Sequence, residues 1–392
     1  MISPKRILLY SHDTFGLGHI RRTQKIANAI ANPELTILVA CASPKTSSFS
    51  SLPGIEYLNL PGFAKQLSGE YLPRSLNIPG AQFVNLRASL LLSAVRSFSP
   101  DIVIVDKEPL GVRGELLPSL EYLRQHAKQC RTICGFRDIL DETPTVHQEW
   151  HEKGTLAGLR NFYDDIFIYG DRELYDFVAE YSLPKDLAAH LTYTGYLNAE
   201  CNFDNEELPF HFDGGRPVVT FTLGGGSDGW ELMEDYLDAL ARAPEPLAFH
   251  NIVLTGPFAP PTLLKKAKTL SEQRGGLEAA NFISNTSGLF ARSAAVVSMG
   301  GYNTLCELAA QRKYPLVVPR VTPRKEQLLR AIAFKRRGYC DYLEPSTANG
   351  QTLLEAVGRH LENRPASIPQ FPTPGLDNIK RLVTQILACP KP

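Results

Sequence analysis

Ala294-Ala-Val-Val-Ser-Met-Gly-Gly-Tyr-Asn-Thr-Leu-Cys-Glu-Leu-Ala-Ala310 passes from a short apolar run, through a glycine pair, into a stretch with apolar residues at helical spacing. The run reads as a buried strand, the last part as a helix, and the glycines as the turn between them. A turn of this kind leaves backbone N–H groups at the positive end of a helix, which suits a phosphate or another close-lying ligand. Two further segments repeat the pattern. Leu223-Gly-Gly-Gly-Ser227 follows the apolar run Pro217-Val-Val-Thr-Phe-Thr-Leu223, and Phe15-Gly-Leu-Gly-His19 follows Arg6-Ile-Leu-Leu-Tyr-Ser11. One such turn is weak evidence, because glycines also close ordinary strand–helix loops. Three of them, one in the first half and two in the second, predict two nucleotide-binding α/β domains.

Outward from these turns, the first half alternates strand and helix. Leu35–Cys41, Gly54–Leu60, Asp101–Asp106, Arg131–Phe136 and Asp165–Tyr169 read as strands, and Ile20–Ala31 and Phe83–Phe98 as helices. Residues 61–80 hold three prolines and three glycines without periodicity and read as a long loop. The second half restarts at Pro217 and continues through Asn251–Thr255, Ala280–Ile283, Ala294–Ser298 and Pro315–Pro319. Alternation of this kind predicts parallel sheets wrapped by helices. Residues 196–216 are crowded with Asn, Glu, Asp, Pro and Gly and end in the turn Asp213-Gly-Gly-Arg-Pro217. The expected division is a first domain at 1–197, a linker at 198–216, a second domain at 217–371, and a terminal helix at 372–392 able to pack back on the first domain.

The chain has 392 residues, enough for two cores of ordinary size. Lys+Arg and Asp+Glu stand at 41 each, and residues 1–200 carry 20 basic and 22 acidic side chains, so neither half advertises a nucleic-acid groove. The start Met1-Ile-Ser-Pro-Lys-Arg6 lacks a signal-peptide apolar region, and no run approaches the ~18 apolar residues of a membrane span. The expectation is a cytoplasmic protein, at most peripheral to a membrane, with its seven scattered cysteines reduced.

The second half carries a specific resemblance. Val296–Ala310, followed by Tyr314-Pro-Leu-Val-Val-Pro-Arg320 and then Glu326-Gln327, resembles the donor-binding signature of MurG-type glycosyltransferases. Those enzymes have a family 28-type C-terminal domain and the GT-B fold, two Rossmann-like domains that close a cleft over a nucleotide sugar. The likeness implies a transferase that moves a sugar from a nucleotide-sugar donor, UDP-linked, to an acceptor it does not identify. It also implies where the donor binds. Gly224, Gly225, Gly226 and Ser227 stand where the family has its second glycine loop, and Gly18 belongs to the first. Phe282 and Ile283 stand where the base is received. Ser298, Gly300, Gly301, Asn303 and Thr304 surround the diphosphate turn. Glu307, about two turns into the helix, is placed to accept hydrogen bonds from ribose hydroxyls. Glu326 and Gln327 stand where sugar hydroxyls are read. The plainer readings are a solvated helix residue for Glu307 and helix capping for Glu326 and Gln327.

An inverting transfer needs a base for the acceptor hydroxyl, and an imidazole titrating near neutrality serves. His19, directly after the first glycine turn, is the first candidate, with His12 and Asp13 as alternatives. This turn departs from the MurG-type pattern, since Arg21-Arg22 follow where a proline is usual, so acceptor chemistry does not carry over. Asp106, Glu108, Arg113, Arg137 and Asp138 lie at carboxyl ends of strands, where open α/β sheets bind ligands, and are read as the acceptor side. Seven of the residues in 320–337 are Lys or Arg, a charge that could steer an anionic donor or simply be a solvated helix face. The chain has no Asp-x-Asp triplet, so no metal and no cofactor is expected. Two rivals remain, a UDP-sugar 2-epimerase of the same fold and a non-catalytic nucleotide-sugar-binding protein.

Overall fold

A computed structural model of the chain describes residues 4–12, 18–43, 52–65, 71–198, 208–212, 215–283, 286–389 and 391. It divides into two compact units, Met1–Leu197 with Thr373–Pro392, and Asn198–Pro372.

In the first unit the strands are β1 (Lys5–Tyr10), β2 (Leu35–Cys41), β3 (Ile55–Asn59), β4 (Phe63–Lys65), β5 (Tyr71–Pro73), β6 (Ile102–Asp106), β7 (Arg131–Arg137), β8 (Asp165–Tyr169) and β9 (Leu191–Tyr193). Seven of them form a parallel sheet in the order β3-β2-β1-β6-β7-β8-β9. Its central strands are buried over their apolar stretches, Ile7–Tyr10, Ile102–Val105 and Ile133–Phe136, as a sheet covered on both faces requires. The helix Gly18–Ile30 buries Ile20, Ile26, Ala27 and Ile30, and each of the three isoleucine side chains is worth about 1.5–3 kcal/mol removed from water. The terminal helix Gly375–Ala388 packs on Gly18–Ile30. It is held at its start by Asn378, whose amide donates to the Thr194 carbonyl at 2.8 Å, and by the Gly375 N–H, which donates to Tyr196 at 3.2 Å.

The second unit contains β10 (Val218–Thr222), β11 (His250–Leu254), β12 (Leu277–Ala280), β13 (Ala295–Ser298), β14 (Leu316–Val317) and β15 (Asp341–Tyr342). They form a six-stranded parallel sheet in the order β12-β11-β10-β13-β14-β15. Amphipathic helices such as Trp230–Arg242 and Gly350–Glu362 cover it, with Met233, Tyr236, Leu237, Leu353 and Val357 inside.

The chain order reverses at one place in each sheet. β1 pairs with both β2 and β6, and β10 with both β11 and β13. Loops leaving the carboxyl ends of such a strand pair part to opposite faces and leave a crevice where α/β sheets bind ligands.

The structure differs from the sequence reading in several places. The strand read at Ala280–Ile283 runs instead over Leu277–Ala280, so Phe282 and Ile283 fall in the loop that follows it. Residues 61–80 are not a plain loop. β4 and β5 form a short antiparallel hairpin, with Phe63 buried beneath Phe83 at a ring separation of 4.9 Å. Three-residue strands are too short to show a period. β9 and β15 were not expected, for the same reason. The segment 208–212, expected within a linker, packs Phe210 with Leu208 and Phe212 against Ile252, Leu254 and Leu289 of the second unit. Residues 199–207 and 213–214 of that expected linker lie outside the described residues.

Candidate active site

At the reversal in the first unit, the paired ends of β1 and β6 bring His12 and Asp106 into one neighbourhood, since Tyr10 is in register with Val105. The helix Gly18–Ile30 begins beside them and supplies His19 and Arg22. His19 Nδ1 stands 2.5 Å from Asp106 Oδ2. Arg22 grips the same carboxylate, with Nε to Oδ1 at 2.9 Å and one terminal nitrogen to Oδ1 at 2.6 Å and Oδ2 at 2.8 Å. Arg22 and Asp106 are buried, and the His19 side chain keeps 17% of its surface exposed.

These distances assign the imidazole tautomer. A carboxylate only accepts, so the 2.5 Å contact requires the proton on Nδ1. The lone pair is then on Nε2, the geometry of a base held by a carboxylate. The electrostatics agree. Burial would raise the Asp106 carboxyl, but Arg22 and then His19 hold it down to about 2, so it is ionised. Burial brings the His19 imidazole down to about 4, with Asp106 opposing the shift and Arg22 and Lys107 adding to it. At neutral pH His19 is therefore uncharged and able to take a proton.

The two alternatives fare differently. His12 is buried, its ring edge-on to His19 at 5.3 Å, its Nδ1 without a partner, and its basicity pushed well below the usual range by burial. Its contact with His19 is this ring–ring packing. Asp13 lies outside the described residues, as do the glycine-turn residues 13–17.

Of the residues read as the acceptor side, Asp106 is the orienting carboxylate of His19. Glu108 is buried next to it and accepts from Lys153 at 2.9 Å, with Lys107 at 3.3 Å; Lys107 turns the chain there with φ +69°. Arg113 is exposed and donates to the Tyr71 carbonyl, 3.2 Å. Asp138 is not available to a ligand: it is buried, accepting from the Ile139 N–H at 2.7 Å and the Tyr196 hydroxyl at 3.2 Å. Arg137, at the end of β7, is half-buried. Glu115, from the same stretch of sequence as Arg113, is wholly interior. It binds Arg87 at 2.5 and 2.6 Å and the Tyr10 hydroxyl at 2.6 Å, a network that fastens the helix Gly80–Phe98 (whose start follows the hairpin) to the sheet.

At the reversal in the second unit, Thr222 is in register with Ser298, so the turns Gly224–Ser227 and Met299–Gly301 emerge side by side. The helix Tyr302–Ala310 starts at Gly301 without a side-chain cap, and the space in front of the Gly301 Cα is open. Ser298 Oγ is buried there without a partner. An uncapped helix start, an open approach and an orphan hydroxyl together suit an anionic group. Thr304 faces the open side of Gly224. Gly300, at φ +80°, lies against Val317 and Gln327, and a side chain there would collide with Val317. Gly256, in the turn after β11, closes on the first glycine turn so tightly that an added Cβ would meet backbone atoms of Gly225 and Gly226 at 2.6 Å. This third turn was not singled out from sequence; its signal is Thr255-Gly256-Pro257-Phe258 directly after an apolar strand.

Glu307 is not merely a solvated helix residue. Its Oε1 accepts from Thr286, 3.2 Å, and from the Ser287 hydroxyl, which orients the carboxylate across from the helix Thr286–Arg292. Glu326 and Gln327 are both buried at the head of the helix Glu326–Arg336. Gln327 accepts from the Arg320 N–H at 3.1 Å, and Glu326 from the Arg320 guanidinium at 3.3 Å, while Arg320 also pairs with Asp228. Arg330 is buried and donates to the Gly300 carbonyl at 3.3 Å, so part of the basic run 320–337 holds the glycine turn. Phe282 is half exposed beside this edge and Ile283 is buried. Gly18, Ser227, Asn303 and Arg113 sit at exposed or half-exposed positions.

Residues 220–377 match the model of the glycosyltransferase family 28 C-terminal domain. Over 156 residues, 39% of this chain, the sequence is 31% identical to the UDP-N-acetylglucosamine–N-acetylmuramyl-(pentapeptide) pyrophosphoryl-undecaprenol N-acetylglucosamine transferase of Geobacillus thermodenitrificans, covering 41% of that protein. Matches to other curated enzymes of this name span 22–45% of their length. The fold is similar to the crystal structure of Acinetobacter baumannii MurG, with a TM-score of 0.57 and 14% identity over 98% of this chain and all of that one. It is similar also to the UDP-GlcNAc 2-epimerase from Neisseria meningitidis bound to UDP-GlcNAc, at TM-score 0.58 and 13% identity over 98% of this chain and 99% of that one. No helix among the described residues is long and apolar enough to cross a membrane. The two parallel α/β units have the fold of the GT-B glycosyltransferases, and residues 220–377 are similar to the C-terminal domain of glycosyltransferase family 28.

Proposed function

We propose that the protein is a glycosyltransferase that takes a sugar from a nucleotide-sugar donor, UDP-linked, and passes it to an acceptor hydroxyl with inversion. The observation that carries this reading is the His19–Asp106 contact, 2.5 Å, which leaves Nε2 as the proton acceptor at the reversal point of the first sheet. The acceptor oxygen attacks the anomeric carbon, the bond from that carbon to the diphosphate oxygen breaks, and the acceptor proton passes to His19 Nε2. The departing nucleoside diphosphate carries the negative charge, and the uncapped start of the helix Tyr302–Ala310 with Ser298 is suited to stabilise it. Glu307 is oriented for the ribose. No step in this scheme calls for a metal.

The 2-epimerases share the fold, and they need no acceptor. Incubation with UDP-, GDP- and TDP-sugars separates the readings. Nucleotide release that depends on an added hydroxyl acceptor, with slow release to water as the background, marks a transferase. Sugar conversion without an acceptor marks an epimerase, and binding without turnover a binding protein. Loss of release in His19→Asn with nucleotide affinity retained is the expected result; release at the wild-type rate removes His19 as the base.

A further inference from the structure

We propose that Arg22 is the positioning residue of this site: its guanidinium fills Asp106 so that the carboxylate can accept only Nδ1–H from His19, and it shares the carboxylate charge that would otherwise fall on the imidazole. The inference rests on His19 being the base.

The hydrogens can be counted. Arg22 Nε–H donates to Oδ1, and the two hydrogens of one terminal nitrogen go to Oδ1 and Oδ2. His19 Nδ1–H takes the remaining site on Oδ2. A carboxylate offers about four acceptor sites, and all four are used. The same Arg22 nitrogen also stands 3.0 Å from His19 Nδ1; a guanidinium only donates, so with the proton on Nδ1 this is a close approach of two donors, and the shorter 2.5 Å contact with Asp106 is the one that sets the tautomer. Spacing makes the arrangement possible. Residues 19 and 22 lie three apart on one helix and share a face. Arg22 is braced from the other side by the Tyr169 ring, 5.9 Å away at the end of β8.

The electrostatic consequence follows. An unshared carboxylate beside a histidine favours the imidazolium, typically by 1–3 pH units. Here the bidentate Arg22 makes Asp106 part of a near-neutral pair. Among the described residues, the other groups around this cluster are Lys107 and Glu108 after β6, Lys153, His12 after β1, and the Tyr169 and Cys134 side chains, both neutral at physiological pH through burial. Of these only Glu108 is negative, and its charge is shared with Lys153 and Lys107 rather than with the imidazole. Lysine in place of Arg22 keeps the charge but lacks the fork, and so cannot fill both oxygens in one plane.

The test is a ring-nitrogen NMR titration of His19 in the full chain, assigned by comparison with His19→Asn, in wild type, Arg22→Met and Arg22→Lys. Wild type should show the neutral Nδ1–H tautomer down to about pH 4. Arg22→Met should keep the imidazolium to about 1–3 pH units higher, with Arg22→Lys between the two. The acid limb of kcat/KM should move with the NMR midpoint, which a purely structural loss would not produce. If Arg22→Met does not fold, Arg22→Lys and Arg22→Gln carry the comparison. An unmoved His19 midpoint and an unchanged tautomer in the folded variants overturn the proposal. Transfer at the wild-type rate by His19→Asn overturns the base reading instead, and leaves the NMR result to judge Arg22 separately.

Discussion

Replacing Asp106 by Asn changes one atom and should reverse the direction of the His19 hydrogen bond. Arg22 brings three hydrogens to this side chain, so the new amide must turn its oxygen toward Arg22. Its NH2 then faces His19 Nδ1. Two donors cannot meet at 2.5 Å, so the ring proton moves to Nε2, the atom that has to receive the acceptor proton. Loss of the orienting carboxylate in a histidine–carboxylate pair costs about 10⁴ in rate, or about 5 kcal/mol of barrier. The variant also leaves the buried Arg22 without its counter-charge, and breaking a buried pair costs about 3–5 kcal/mol of stability. Thermal unfolding must therefore be measured beside the rate. Saturating nucleotide, which binds the other unit in this reading, offers about 2.7 kcal/mol of compensation at 100-fold excess over Kd. The assay is acceptor-dependent nucleotide release at a temperature where the variant is folded, with nucleotide affinity by calorimetry as the control. Release within tenfold of wild type by folded Asp106→Asn refutes the argument, because it shows that neither tautomer nor orientation limits the reaction.

Three other outcomes are expected. His19 has its basicity lowered to about 4 in the folded chain, against about 6.5 unfolded, so its contribution to stability is whole above about pH 6.5 and falls away as pH drops toward 4, by about 3 kcal/mol; denaturant titrations of wild type and His19→Asn between pH 7 and 4 should diverge by that amount, and parallel curves would exclude the shift. Gly256→Ala should destabilise the second unit by ~3 kcal/mol or more, because its φ is +86° and the new methyl meets backbone on the neighbouring turn; a melting temperature within a degree of wild type contradicts the close approach. Glu307→Ala should weaken UDP binding by ~1–3 kcal/mol through lost charge-assisted hydrogen bonds, and unchanged affinity in a folded variant removes Glu307 from the ribose.

How much of this was legible in the sequence depends on the length of the signal. Buried parallel strands such as Ile102–Asp106 and Val218–Thr222 stand out as unbroken apolar runs, and the helix Gly18–Ile30 shows apolar residues at helical spacing, so the alternation and the paired α/β units could be read directly. The hairpin strands Phe63–Lys65 and Tyr71–Pro73 and the short strands β9 and β15 fall below any periodicity, whereas β14 is visible within the apolar run Pro315–Pro319. Burial of polar groups was the harder matter. Asp106, Asp138 and Glu115 all follow or adjoin apolar strands and look alike in sequence. One orients His19, one caps its own loop, and one is locked to Arg87. Nothing in their neighbours' identities distinguishes them, because the partner in two of the three cases lies 28 to 87 residues away.

The His19–Arg22–Asp106 cluster shows where local reading stops. That positions 19 and 22 share a helix face follows from their spacing alone, and that Asp106 ends a strand follows from the apolar run before it. Their meeting requires β1 to lie next to β6, and alternation of strands and helices is equally consistent with other strand orders. Only the order β3-β2-β1-β6 sets the end of β6 beside the start of the helix Gly18–Ile30. The same condition explains why a second basic residue in Arg21-Arg22, which from sequence looked like a departure from the expected turn, is tolerated in a buried place: Asp106 neutralises it, and the three groups stand or fall together. A change that removes any one of them should therefore be felt by the other two, and double substitutions within the cluster should cost less than the sum of the single ones.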